Sequence, residues 1–160
     1  MKRTRFTLLY IMALTVMASV NAIVSCTSDT VYDSYGHTPL AGWEKNDTLS
    51  FYVPKMAQRG TYAEEVGVRM TEAFPFTSVS LILQQTVLPS GREYSDTVKC
   101  TITDSRGNFL GDGVSAYQYS FPVRSIQLQK GDSLHITIRH NMKREILPGV
   151  SDVGVKIRLD

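Results

Sequence analysis

The sequence predicts an all-β protein, a single antiparallel β-sandwich of Ig-like or jelly-roll type with about seven strands. Three observations carry this. Seven segments alternate apolar and polar residues with period two, turn-forming residues stand between them, and the 135 residues after the leader suffice for one domain. The expected organisation is a lipoprotein signal peptide over residues 1–25, a lipidated N-terminus and tether over 26–42, and the sandwich over 43–160.

The leader comes first. Lys2, Arg3 and Arg5 form a basic start without acids, and an apolar run follows from Phe6 to Val20. That run is shorter than the roughly 20 residues of a stable membrane-spanning helix, as a secretory signal should be. Ile23-Val24-Ser25-Cys26 then resembles a bacterial lipobox. Its chemistry requires Cys26, whose thiolate takes up a diacylglyceryl group, so Cys26 is the expected lipidation site. Two or three acyl chains hold a protein at a membrane without spanning it. Thr27 to Gly42 is polar, contains Gly and Pro, and lacks apolar periodicity, which predicts a flexible spacer.

The strands follow in order. Leu49, Phe51 and Val53 form the first apolar face; Tyr62, Val66, Val68 and Met70 form the second, with Glu64 intruding on it. Val79, Leu81 and Leu83 make the third, and Val98, Cys100 and Ile102 the fourth. Tyr117, Tyr119 and Phe121, running on to Ile126 and Leu128, make the fifth. Leu134, Ile136 and Ile138 are the sixth; Val153, Val155, Ile157 and Leu159 are the last. One-sided alternation suits antiparallel strands with one buried and one solvated face. Asn141 to Ile146 is the one stretch that invites helix, ended by Pro148-Gly149.

Charge excludes one class of partner. The chain holds 17 basic and 15 acidic residues, and loss of the three leader cations turns the balance from +2 to −1. The basic pI thus belongs to the leader, and nothing points to nucleic acid. With Cys26 acylated, Cys100 is the only remaining thiol, which forbids an intramolecular disulfide.

Catalytic signatures are absent: no Gly-x-Ser-x-Gly elbow, phosphate loop, His-Glu-x-x-His or paired zinc cysteines occurs. His135 and His140 differ by an odd number, so on one strand they face opposite ways and cannot share a metal. They and His37 read as surface histidines. Asp104, Asn108 and Asp112 lack the alternate spacing of a calcium loop and read as turn formers. Cys100 reads as an inert buried thiol. Trp43 reads as a cover over an open end of the core rather than a ligand platform. No catalytic, cofactor or metal residue is therefore expected, nor a small-molecule substrate.

One resemblance stands out. Leu147-Pro148-Gly149-Val150-Ser151-Asp152-Val153-Gly154-Val155-Lys156-Ile157, preceded by Met142-Lys143-Arg144-Glu145, resembles the gliding-motility lipoprotein family GldH of Bacteroidota. Asp47 to Phe51 after Trp43, Phe74-Pro75-Phe76-Thr77-Ser78, Asp96 to Cys100, and Gly107 to Gly113 fit as well. Ser115 to Val123 departs from the pattern. The resemblance implies a non-enzymatic envelope lipoprotein working with the gliding and type IX secretion machinery, its partners being the membrane and other envelope proteins. Thr27 to Thr30 lack the acidic cluster that resembles a surface-export signal, which implies an outer-membrane protein facing the periplasm. A lipid-anchored ligand- or glycan-binding module is the alternative, to be favoured by a row of exposed aromatics on one sheet face.

Overall fold

A computed structural model describes Asp29–Asp160; the leader and Cys26 lie outside the described residues. Ten strands are present among the described residues: β1 (Thr30–His37), β2 (Trp43–Glu44), β3 (Leu49–Val53), β4 (Gly60–Thr71), β5 (Ser78–Leu88), β6 (Arg92–Thr101), β7 (Ala116–Leu128), β8 (Ser133–His140), β9 (Ile146–Leu147) and β10 (Val150–Leu159). Two four-stranded antiparallel sheets, β1-β10-β4-β7 and β3-β8-β5-β6, face each other, and β2-β9 forms a separate ribbon.

The pairing follows one rule. β1 pairs with β10, β2 with β9, β3 with β8, β4 with β7 and β5 with β6. The described chain is thus one long hairpin, its apex at the Pro89-Ser90-Gly91 turn, rolled up until β10 meets β4 and β5 meets β8. This order is that of a jelly roll, so the jelly-roll alternative of the expected sandwich is the one adopted. The seven alternating faces supply the core: Phe51, Val66, Val68, Leu81, Leu83, Ile136, Ile138, Val155 and Ile157 are all buried.

Three expectations need correction. The first is the tether. Thr30–His37 is a strand hydrogen-bonded along β10, from Thr30 opposite Arg158 to His37 opposite Asp152. It lacks an alternating apolar face because its hold is aromatic. The Tyr35 ring lies across Gly67 and Gly154 on the two neighbouring strands, where a Cβ at either glycine would strike it, and the Arg69 guanidinium stacks 4.0 Å above it. The second is the helix at Asn141–Ile146. No helix occurs among the described residues. Asn141 N–H goes to Ser80 carbonyl and Glu145 carbonyl to Lys45 N–H, so these backbone groups are taken by neighbouring segments rather than by a helical turn. The third is His140, which is completely buried while His135 remains partly exposed on the other face. Position 140 simply extends the inward series Leu134, Ile136, Ile138.

Pro122 lies within β7 without breaking it. β7 is an edge strand, and the register slips at Glu64/Glu65 opposite the proline, where no ladder N–H is required.

Candidate functional site

The rolled hairpin gives the molecule two unlike ends. One holds the start of β1 and the end of β10, joined by a hydrogen bond from Leu159 N–H to Asp29 carbonyl (2.8 Å). The β3–β4 and β7–β8 loops and the β5–β6 turn lie at this same end. The β1–β3, β4–β5, β6–β7 and β8–β10 connections lie at the other, the distal end.

The distal end is closed by a plug of large side chains. Trp43 is fully buried, pairs across the ribbon with Leu147, and donates its indole N–H to Asp47 carbonyl (3.0 Å). His140 meets it edge-on at 5.3 Å and donates Nε2–H to the Trp43 carbonyl (3.1 Å). Burial lowers the His140 pKa, so the ring is neutral and acts as packing with one hydrogen bond. Trp43 therefore covers the core end, as its position in the chain suggested. Next to this plug the Phe74-Pro75-Phe76 turn meets Pro148-Gly149. Gly149 has φ +80°, a Cβ there would stand 2.2 Å from the Phe74 nitrogen, and its carbonyl accepts from Thr71 N–H at 2.8 Å. The motif segments at Trp43–Phe51, Phe74–Ser78, Gly107–Gly113 and Leu147–Gly149 are far apart in the chain and converge here.

Around the plug stand apolar side chains that the core does not use. Leu40, Leu110, Val114 and Ile146 are four of the seven exposed large hydrophobic residues among those described, and Leu40 and Val114 are nearly as open as in a free peptide. Leu40, Ala73, Pro148 and Val150 line a cleft of about 460 Å³ whose rim carries His37, set against the Asp152 carboxylate. β1 and β7 bound the sheet beneath, three strand spacings or about 14 Å apart. Leu40 rises beside β1, and Leu110 and Val114 rise in the loop entering β7. The apolar residues thus stand across the width of this end.

The sheet faces look different. Each outer face carries one tyrosine rather than a row: Tyr35 on the first sheet, committed to its two glycines, and Tyr52 on the second. Tyr52 is 71% exposed and stacks on His135 at 4.5 Å. Beside that pair, Gln84, Thr86, Ser95, His135 and Thr137 line a shallow polar cleft of about 390 Å³.

Reactive groups are dispersed. Cys100 is buried, and burial pushes its thiol up to about 12, which removes the thiolate needed for nucleophilic chemistry. Glu64 lies inside the sandwich, where burial raises its carboxyl to about 7 while Gln85 Nε2 donates to it at 2.9 Å. Arg124, stacked on Tyr94 at 4.4 Å and 3.3 Å from Asp96, closes the gap between β6 and β7 nearby. The Asp104 carboxylate accepts from the backbone N–H groups of Arg106 and Asn108 and from the Asn108 amide, a self-contained turn. Among the described residues no three His, Cys, Asp or Glu side chains cluster as metal ligands would. The expected site at Cys26 lies outside the described residues.

Comparison with known proteins gives the family. The family model described as GldH lipoprotein matches residues 30–157, beginning at the first residue of β1. The "Gliding motility lipoprotein GldH homolog" of Christiangramia forsetii (strain DSM 17595 / CGMCC 1.15422 / KT0803) is 22% identical over 142 residues, covering 83% of this chain and 86% of that protein. Among solved structures, a family GH115 4-O-methyl-α-glucuronidase overlays with TM-score 0.46 at 11% identity, over 82% of this chain but only 18% of the enzyme. The globular domain of the zebrafish complement 1qA protein overlays with TM-score 0.41 at 12% identity, over 79% of this chain and 95% of that one. With the family match spanning every strand from β1 into β10, the chain belongs to the GldH lipoprotein family.

Proposed function

We propose that this protein is a non-enzymatic component of the gliding motility and type IX secretion machinery, held by acyl chains on Cys26 in the periplasmic leaflet of the outer membrane. Its distal end is the surface that meets another envelope protein. The observation that carries the reading is the gathering of Leu40, Leu110, Val114 and Ile146 at the end opposite the start of β1. An apolar patch there has no use in the fold, and a chain held by its N-terminus presents that end outwards.

The test is crosslinking of the tagged lipoprotein in intact cells, wild type against Leu40→Asp/Val114→Asp/Ile146→Asp. The expected result is loss of the neighbouring-protein crosslinks and of gliding or secretion, with an unchanged melting temperature. Unchanged crosslinks would overturn the distal assignment. Cys26→Ala should abolish labelling by a fatty-acid analogue; equal labelling would overturn the anchor.

The second reading, a lipid-anchored glycan-binding module, draws on Tyr52 and His135 beside the polar cleft. One exposed tyrosine rather than a row makes it the weaker. Glycan-array binding abolished by Tyr52→Ala would reverse that order.

A further inference from the structure

We propose that the end opposite the distal patch docks on phospholipid headgroups, through a basic platform made of the β3–β4 and β7–β8 loops. The proposal rests on the reading of Cys26 as the acylated residue.

Two independent observations point to it. The first is reach. Asp29 is fixed by Leu159 N–H at the end of the sandwich, and Cys26 stands only three residues before it. Three residues span about 10 Å at most, so acyl chains on Cys26 hold this end within touching distance of the bilayer surface. A sixteen-residue tether would have let the domain stand away; with β1 in the sheet, that freedom is gone.

The second is the chemistry of the surface placed there. The two loops are joined by hydrogen bonds from Met56 N–H to Asp132 carbonyl (2.7 Å) and from Gly131 N–H to Met56 carbonyl (2.9 Å), with Met56 buried beneath. On this shared frame Lys55, Arg59 and Lys130 are exposed, and no hydrogen bond or ion pair engages their side chains among the described residues. The one acid of these loops, Asp132, is buried, accepts from Gln129 N–H and faces Arg92 at 3.7 Å, which leaves the platform cationic. Alongside, the β5–β6 turn exposes Leu88 and Pro89, an apolar tip at the same level. The acids Asp29 and Asp160 lie at the β1/β10 corner, where the chain enters from Cys26. Free cations beside a short apolar tip match the layer of phosphates over the acyl boundary, and each basic side chain near such a surface favours binding about fivefold.

The experiment uses the full lipoprotein, purified from cells and reconstituted in phosphatidylethanolamine/phosphatidylglycerol vesicles containing a headgroup-quencher lipid. Thiol-reactive fluorophores are placed at Gln58→Cys on the platform or Ser105→Cys at the distal end; acylated Cys26 and buried Cys100 do not compete. The expected result is at least threefold stronger quenching at 58 than at 105. Lys55→Glu/Arg59→Glu/Lys130→Glu should cut that difference at least twofold while leaving the melting temperature and the acyl mass unchanged; an undiminished difference would assign it to the short link alone and overturn the docking. Equal quenching at both positions in a protein whose mass shows acylation would overturn the docking and leave the anchor standing. A mass without acyl chains would overturn the anchor and the docking with it.

Discussion

Replacing Gly149 by alanine separates two costs that glycine avoids, backbone strain and close approach. At φ +80° alanine pays the left-handed penalty of about 1–2 kcal/mol. Its Cβ would also sit 2.2 Å from the Phe74 nitrogen, 2.6 Å from the Phe74 Cα and 2.7 Å from the Ala73 carbonyl carbon. These are backbone atoms and cannot rotate away, so the Phe74 turn must shift. That shift disturbs the 2.8 Å hydrogen bond between Thr71 and Gly149 and loosens buried Phe74. A weakened hydrogen bond and partial loss of an aromatic contact add about 2 kcal/mol. Gly107 is the control: its φ is +87°, yet nothing lies within 4 Å of a Cβ there. Gly107→Ala should therefore cost about 1–2 kcal/mol, and Gly149→Ala about 3–4. For a domain of this size the latter lowers the melting temperature by roughly 10–15 °C. Urea denaturation of both variants beside the wild type measures the difference. Equal losses would refute the close-approach argument and leave strain alone as the reason for glycine.

Glu64 gives a pH test. Burial raises its folded pKa from 4.5 to about 7, so the protonated form favours the fold. Stability from this group is full below pH 4.5 and is lost as pH rises to 7 and beyond, by about 3 kcal/mol. Glu64→Gln should lack that decline, so the difference between the two pH profiles, in which the opposing contribution of His140 cancels, falls by about that amount from pH 4.5 to above 7; parallel profiles would refute it. Lys156 and Arg158 face outwards but are not idle, since Arg158 meets Glu65 of β4 at 2.5 Å and Lys156 lies 3.9 Å from Asp33 of β1. Reversing both charges should cost about 1–2 kcal/mol by denaturant titration, because two attractions between partly exposed groups become repulsions. An unchanged midpoint would show these pairs to be inert. Native Cys100 should react with a thiol reagent at pH 8 at least a hundredfold more slowly than in urea, and comparable rates would contradict its burial.

Seven of the ten strands were legible because each carries its own apolar face, and that signal is local. β1 was not. Its stabilising contacts are made by Tyr35 with glycines 32 and 119 positions further on, and no pattern within Thr30–His37 reports them. β2 and β9 are two residues long, too short for any period to show. His140 could have been found by continuing the even-numbered series of β8 by one more step. The seclusion of Cys100 was readable from its place between Val98 and Ile102 on one apolar face, and that of Trp43 from its place where the domain segment begins. The distal patch had no such signature, since Leu40, Leu110, Val114 and Ile146 come from two loops and the short strand β9 and are related only by the roll of the hairpin.

The pairing of β1 with β10 also has a mechanical consequence. A chain held at its N-terminus and loaded at its distal loops is pulled along the axis of β1. The β1–β10 hydrogen bonds lie across that axis, and the register runs in seven pairs from Thr30/Arg158 to His37/Asp152. Tension on the anchor is therefore applied in shear, shared by the whole ladder, instead of opening it one bond at a time as a peeling force would. Under the proposed anchor and distal partner, the first strand would be the rope that carries such a load without the domain unravelling.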